Sequence, residues 1–390
     1  MTELGAVARA LQAGQREGIA PGLLAVVRVR GVVAHASVHG EAQREPTRRG
    51  LSAEDRFDLA SLTKLYVASA AARLVDRGDL DLDAPASRWL PALGGDKESI
   101  TVRHLLAHAS GLAAWRPWYE AVASDALGRP AFLPPLERPR AVALVPAFRR
   151  GREIVEAALA SERLEAPPGA RALYSDLGFV GLGFALERLA GVALERLVAD
   201  EVLGPLGLDG TFYLPGLDPA RAEALRGGWS FVATRRAPAR GGEVLCGAVD
   251  DDNAWALGGV AGHAGLFSTA ADVARFGQAW LDALAGRTPW LSRATAERFA
   301  ARDPTPGSER ALGWDTPARE GSSIGARLGH GRLGAIGHLG FTGTSLWLDR
   351  DREIVCVLLT NRVHPGGADK GRMKAFRARF HDAVAADLAI

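Results

Sequence analysis

A serine and a lysine lie one helical turn apart in the tetrapeptide Ser61-Leu62-Thr63-Lys64. At this spacing both side chains lie on the same face of a helix, so the amine can reach the hydroxyl. A buried lysine can lose its proton and then accept one from a hydroxyl, which an arginine cannot do. Only four of the 47 basic residues are lysines, which makes Lys64 conspicuous. The pair is a candidate nucleophile and base, but the spacing alone arises by chance roughly one time in six, and Ser61 could simply cap a helix.

Acyl transfer also needs a proton donor for the leaving group, donors for the oxyanion and a surface that holds the substrate. Two other stretches offer such groups. Tyr174-Ser175-Asp176 follows Pro167-Pro168-Gly169 and opens a predicted helix. The stretch from Gly337 to Gly343 lies between two predicted strands.

The hydrophobic pattern predicts the elements that would position these groups. Alternation of Phe57 and Leu59 indicates a short strand that leads into a helix beginning at Ser61. Further strands are predicted near both ends of the chain, and they are 23–29, 32–38, 333–338, 344–349 and 353–360. The last segment repeats apolar residues at helical spacing up to Leu388. We therefore predict an α/β (α+β) fold, an antiparallel sheet flanked by amino- and carboxyl-terminal helices with an inserted, mostly helical domain.

The same pattern predicts two domains. Residues 1–90 and 255–390 would form a discontinuous sheet domain, and residues 91–254 a mostly helical one. Within the second, six prolines interrupt the stretch 115–146, which we expect to be an irregular insertion. A short strand is predicted over Trp229 to Ala233. A cleft between such lobes is the expected place for a small-molecule site.

Three motifs in chain order carry a resemblance to a known family. Ser61-x-x-Lys64, Tyr174-x-Asp176 and His338-x-Gly340 resemble the motifs of serine hydrolases related to class C β-lactamases and penicillin-binding DD-peptidases. The flanking stretches 57–60, 101–112 and 258–266 are similar as well, and the resemblance runs from about residue 15 to the carboxyl end. It implies a β-lactamase/transpeptidase-like fold.

The resemblance also implies roles for individual residues. Ser61 would be the acylated nucleophile and Lys64 its general-base partner. Tyr174 would pass protons to and from the leaving group and water. The backbone amides of Ser61 and Phe341 would form the oxyanion hole. A helix amino terminus at Ser61 supports the last role independently, since its N–H groups are unpaired and its potential is positive.

The remaining motif residues would bind the substrate, and two of them differ from the family pattern. His338 and Gly340 would form the strand edge along which an extended substrate lies, and Asp176 would contact Lys64 or a substrate amide. His338 replaces a lysine, so the third motif lacks a permanent charge for a substrate carboxylate. Asp176 replaces an asparagine, and its charge would raise the pKa of Lys64. Both differences weaken the expectation of β-lactam hydrolysis.

The resulting prediction is a serine hydrolase that cleaves an ester or amide through an acyl-Ser61 intermediate, either DD-carboxypeptidase-like or an esterase. Alternatives are a non-catalytic ligand-binding or sensor module on the same fold, and a genuine β-lactamase. Metal-dependent hydrolysis through His104 and His108 is a weaker alternative, because no glutamate follows the first histidine. We expect no metal and no other cofactor.

Composition limits the class of partner. A formal net charge of +2 with scattered basic residues argues against nucleic-acid binding. No apolar stretch reaches membrane-spanning length. Residues 1–18 lack the apolar run of a signal peptide, so we expect a cytoplasmic location, or a periplasmic one if the amino terminus is incomplete. The expected partner is a small-molecule ester, amide or peptide substrate.

Overall fold

The structure is a computed structural model that describes residues 4–367 and 369–390. Its strands are β1 (Gly22–Val29), β2 (Val32–Gln43), β3 (Arg49–Gly50), β4 (Phe57–Asp58), β5 (Phe212–Tyr213), β6 (Arg236–Ala237), β7 (Glu243–Val244), β8 (Leu266–Ser268), β9 (Ala335–Leu339), β10 (Ser345–Asp349) and β11 (Ile354–Thr360). Its α-helices are α1 (Gly5–Arg16), α2 (Thr63–Asp76), α3 (Val102–Leu106), α4 (Trp118–Ser124), α5 (Val145–Ser161), α6 (Asp176–Ala190), α7 (Leu194–Val198), α8 (Pro219–Gly228), α9 (Asp252–Ala256), α10 (Ala270–Leu284), α11 (Arg293–Ala300) and α12 (Lys370–Asp387).

Both ends of the chain contribute to the main sheet. Within the described residues, six strands form this antiparallel sheet in the order β3-β2-β1-β11-β10-β9. At its centre Val26 of β1 pairs with Val357 of β11. The predicted fold class, an antiparallel sheet with flanking helices, is therefore confirmed. The division of the chain at residues 90 and 254 stays a prediction.

Alternate residues of the central strands pack into two different hydrophobic cores. Leu23 and Val27 of β1 contact the core that contains α1 and α12, so the predicted carboxyl-terminal helix does cover one sheet face. Leu24 and Val26 point to the other face, against the core that contains α10. Side chains alternate along a strand, so one short apolar sequence serves both faces.

Two local expectations were wrong. The stretch 115–146 contains helix α4, and α5 begins at Val145 with Pro146 in its first turn. Proline is tolerated there because the first N–H groups of a helix lack partners inside the helix. The predicted strand at Trp229 to Ala233 is reduced to one bridge between Phe231 and Arg56. The neighbouring strand β4, which follows Arg56, spans only two residues and is too short to extend this bridge into a ladder.

Within residues 4–367 and 369–390, no single helix is long and apolar enough to cross a membrane. Taken together, α6 and the helical segment Leu194–Leu203 are long and apolar enough to do so by length and composition alone, but they are bent by 79° relative to each other.

Candidate active site

A strained turn presents Ser61 at the start of helix α2. Strand β4 ends at Asp58, and a short 3₁₀ turn over Ala60–Leu62 leads into the helix. Ala60 has φ of 47°, in the left-handed region that alanine rarely adopts. Such a conformation costs on the order of 1–3 kcal/mol and persists where surrounding contacts impose it. The amide of Ser61 accordingly lies at a helix start, as predicted.

The ammonium group of Lys64 is wholly buried among three oxygen atoms. Its Nζ lies 2.7 Å from Oδ1 of Asp176 and donates to the Oγ of Ser61 at 3.0 Å and to the carbonyl of His263 at 3.1 Å. Burial lowers the pKa of Lys64, but Asp176 and Tyr174 outweigh it and hold the pKa above its ordinary value. Lys64 is therefore a cation at neutral pH, and it donates a hydrogen bond to Ser61.

Tyr174 reaches the same serine from the other side. Its hydroxyl donates to the Oγ of Ser61 at 2.8 Å. Burial raises the pKa of Tyr174 above its ordinary value, and Lys64 only partly opposes this. Ser175 caps helix α6 by accepting from the amide of Gly178, and its own amide donates to Nδ1 of His108. These bonds fix the backbone on which both Tyr174 and Asp176 are carried.

The third motif lies on β9, an edge strand of the sheet. His338 is buried, and its burial lowers the pKa to about 4, with Asp315 opposing the shift, so the ring is neutral at pH 7. A side chain at Gly340 would collide with the Oγ1 of Thr344 and would lie 2.8 Å from the carbonyl oxygen of Leu59. Glycine is required at this position because the loop passes so close to the nucleophile strand.

The loop after β9 is fastened to the segment that precedes Ser61. The hydroxyl of Thr342 donates to the carbonyl of Asp58 at 2.9 Å, and that of Thr344 to the carbonyl of Leu59 at 3.1 Å. In the part of the chain that the structure describes, the backbone amides of Ser61 and Phe341 have no protein acceptor. Both amides are thus available for an oxyanion.

Ser61 and Asp176 border two adjoining cavities. The larger, of about 520 Å³, is also lined by Trp115, Tyr119 and His263. Trp115 and Tyr119 thus form part of the cleft wall, whereas the neighbouring tryptophan at position 118 is buried and anchors α4.

The smaller cavity, of about 370 Å³, contains Tyr174 and His338. It is strongly basic, and its cationic lining consists of Arg310, Arg362, Lys370 and Arg377. Sequence reasoning missed these arginines, because each lies on a different loop or helix without a motif.

Two histidines considered as metal ligands instead bind backbone amides. Nδ1 of His104 accepts from the amide of Thr101, within the cap of α3. Nδ1 of His108 accepts from the amide of Ser175. Among the described residues no group of three or more histidine, cysteine, aspartate or glutamate side chains is arranged to hold a metal ion.

Comparison with known proteins agrees with this geometry. A family model named Beta-lactamase matches residues 7–379. An N-acetylmuramyl-L-alanine amidase of Bacillus subtilis (strain 168) is 32% identical over 88% of this chain and 78% of its own. A putative D-alanyl-D-alanine carboxypeptidase of Salmonella typhi is 29% identical over 79% of this chain and 69% of its own.

Among solved structures, the hydrolase EstCE1, described as having promiscuous acyltransferase activity, shares the fold. Its TM-score is 0.69 at 23% identity, over 98% of this chain and 99% of that one. The family match spans nearly the whole chain, and the two sequence relatives of this chain are named as an amidase and a carboxypeptidase. The protein therefore belongs to the β-lactamase family and is a hydrolase of the serine β-lactamase and penicillin-binding protein superfamily.

Proposed function

We propose that this hydrolase cleaves a small amide or ester that carries a carboxylate, through an acyl-Ser61 intermediate, in the manner of a D-Ala-D-Ala carboxypeptidase. The observation that carries the proposal is that Tyr174 and Lys64 both direct a proton to one oxygen, the Oγ of Ser61, at 2.8 Å and 3.0 Å. This serine borders both cavities, so a bound substrate can reach it.

The roles proposed for the site residues follow from their charges. When substrate binds, the hydroxyl proton of Tyr174 turns from Ser61 to the leaving nitrogen or oxygen. Ser61 then attacks the carbonyl carbon, its proton passes to Tyr174, and Tyr174 gives its own proton to the leaving group, so that no charge is left on the phenol. Lys64 stays cationic and stabilises negative charge on both oxygens during this transfer. The amides of Ser61 and Phe341 bind the oxyanion. A water molecule then attacks the acyl-enzyme and gives a proton to Tyr174, while Tyr174 gives its own proton to the Oγ of Ser61 as the bond between Oγ and the acyl carbon breaks.

The basic cavity supports a substrate carboxylate. Since His338 is neutral, the third motif offers no charge, but Lys370 and Arg377 line the same cavity. The two acids of this lining are already paired, Asp176 with Lys64 and Asp315 with Arg310. The remaining charge is positive and favours an anionic group beside Ser61. The named activities of the two sequence relatives also involve peptide-like amides.

A second candidate is an esterase for neutral substrates. The observation that favours it is the wall of the larger cavity, where Trp115, Tyr119 and Phe341 offer aromatic surface. Such a wall suits an apolar acyl group, and the neutral His338 imposes no demand for an anion.

A substrate panel separates these proposals. Purified protein is tested with a D-Ala-D-Ala peptide, p-nitrophenyl esters and a cephalosporin, beside Ser61→Ala and Lys64→Ala variants with unchanged circular dichroism. Release of D-alanine by the wild type alone supports the first proposal, and turnover of esters alone supports the second.

Cephalosporin turnover would instead indicate a genuine β-lactamase. Binding of the peptide without turnover of any compound would indicate a ligand-binding or sensor module, which would overturn the proposal. A labelled fluorophosphonate followed by peptide mass spectrometry checks the nucleophile, and label on a residue other than Ser61 would contradict its role. The cytoplasmic location stays a prediction that cell fractionation tests.

A further inference from the structure

Asp58 joins three walls of the active site, two through its carboxylate and one through its backbone carbonyl. The side chain is 1% exposed at the end of β4, three residues before Ser61. Its Oδ1 accepts from the amide of Ala60 at 2.7 Å, and its Oδ2 accepts from the amide of Asp250 at 2.6 Å. Its own carbonyl accepts from the hydroxyl of Thr342. Sequence analysis treated this aspartate only as part of the stretch before the nucleophile.

Each of these bonds holds a different part of the catalytic geometry. Ala60 is the residue with φ of 47°, so the bond to its amide maintains the strained turn that aims Ser61. Asp250 begins the segment 250–252 that lines the larger cavity. Thr342 follows Phe341, whose amide faces the proposed oxyanion. The carboxylate of Asp58 therefore sets the nucleophile turn relative to the cavity wall, while the backbone carbonyl of the same residue holds the third motif.

We propose that Asp58 is a positioning residue for acyl transfer at Ser61, and that its ionised carboxylate is needed to accept both amides at once. This deepens the proposed function and rests on it. A protonated carboxyl or an asparagine offers a donor where one of the two amides needs an acceptor. One of the two bonds is then lost, and the turn at Ala60 relaxes away from the attacking geometry.

The electrostatic surroundings place this ionisation near neutrality. Burial raises the pKa of Asp58 to about 7, and the nearby carboxylates of Asp250 and Asp251 add to the effect. Facing these acids are Arg235, which pairs with Asp250 at 3.3 Å, and Arg362, which lies within the field of Asp250. The inactive, protonated form therefore becomes substantial just below pH 7.

The sign of the pH effect differs between activity and stability. A carboxyl whose folded pKa is raised stabilises the fold most at low pH, and this contribution is lost as the pH rises from about 4, the ordinary aspartate pKa, to about 7. Activity changes in the opposite direction, because the ionised form positions Ser61. The protein is therefore most stable where its activity is lowest, so a fall in activity below pH 7 cannot be explained by unfolding.

The test measures labelling of Ser61 by a fluorophosphonate across this pH range in wild type, Asp58→Asn and Asp55→Asn. Asp55 is the matched control, a buried carboxylate that holds Arg49 and the amide of Ser52, without contact to the Ser61 turn. We expect the wild-type inactivation rate at saturating probe to rise through about pH 7. Asp58→Asn should lose this rise and react about tenfold to a hundredfold more slowly at pH 8, with little change in probe affinity. Asp55→Asn should keep the rise even if its melting temperature falls.

The outcomes separate two kinds of failure. Absence of labelling at Ser61 in the wild type would contradict the proposed function itself. Labelling without a rise near pH 7, or a rise that survives Asp58→Asn, would overturn the role of Asp58 and leave the nucleophile assignment intact. The wild-type profile needs no variant, so misfolding of Asp58→Asn cannot rescue the proposal.

Discussion

Replacing Asp176 by asparagine removes the negative charge beside Lys64 and keeps a side chain of nearly the same shape. The two groups lie 2.7 Å apart, with Lys64 wholly buried and the Asp176 side chain 20% exposed. At an effective dielectric constant of about 20 their gross attraction is roughly 6 kcal/mol. Because the asparagine oxygen can still accept from Nζ, we expect the variant to lose about 3 kcal/mol of unfolding free energy at neutral pH, the lower end for breaking a buried pair.

The pH dependence of this loss has a definite sign. In the wild type the pKa of Lys64 lies above its ordinary value, so its stabilising contribution is complete at neutral pH and is lost only above about pH 10.4. Without Asp176, burial dominates and lowers the pKa of Lys64. The loss of stability in Asp176→Asn should therefore shrink as the pH rises from neutrality towards the ordinary lysine value.

The assay is a double-mutant cycle of Asp176→Asn and Lys64→Met, with unfolding free energies from urea titration at several pH values. Asp315→Asn serves as the control, since it removes a charge from the same cleft without contact to Lys64. A coupling energy below about 1 kcal/mol, typical of an exposed pair, together with an unchanged pH profile would refute the argument.

Three further outcomes are expected. Tyr174→Phe keeps its ring contact with His108 but loses the hydroxyl that donates to Ser61. Turnover should therefore fall about a hundredfold or more at unchanged melting temperature, and a smaller loss would exclude the proton relay. Lys370→Gln should raise the KM for a D-Ala-D-Ala peptide about tenfold and leave that for a neutral ester unchanged, and equal effects on both substrates would contradict a carboxylate site. Gly277→Ala should lower the free energy of unfolding, measured with denaturant, by about 1–3 kcal/mol, because its Cβ would lie 2.8 Å from side chains of β10 and β11. Gly227→Ala, whose Cβ would meet no atom within 4 Å, should be neutral or stabilising.

Much of the site could be predicted because several of its reactive residues lie in short local sequence motifs. The spacing of Ser61 and Lys64 on one helix places their side chains together without knowledge of the tertiary fold. The structure also brings Tyr174 and Asp176 to this pair, as the resemblance implied. The catalytic roles of these residues stay predictions until they are measured.

The remaining features depend on long-range packing that no local pattern reveals. The carbonyl of His263 accepts from Lys64 across 199 positions in the chain, and any residue type could supply that carbonyl. The basic cavity likewise draws Arg310 and Arg377 from separate elements. The role of Asp58 could have been suspected from the sequence. A single acidic residue in an otherwise apolar strand before the nucleophile indicates a buried charge with a specific role.

The threonine bonds from the third motif to the nucleophile strand have a consequence for how the protein folds. The contact between Thr344 and the carbonyl of Leu59 joins positions 285 apart, and β1 pairs with β11 over a still longer span. Such non-local pairings make loop closure costly and folding slow. During synthesis the sheet cannot close until its last strand has left the ribosome. Until then the segment that carries Ser61 lacks its hydrogen bonds to Thr342 and Thr344. We therefore expect catalytic activity to appear together with closure of the sheet, in a single late step of folding.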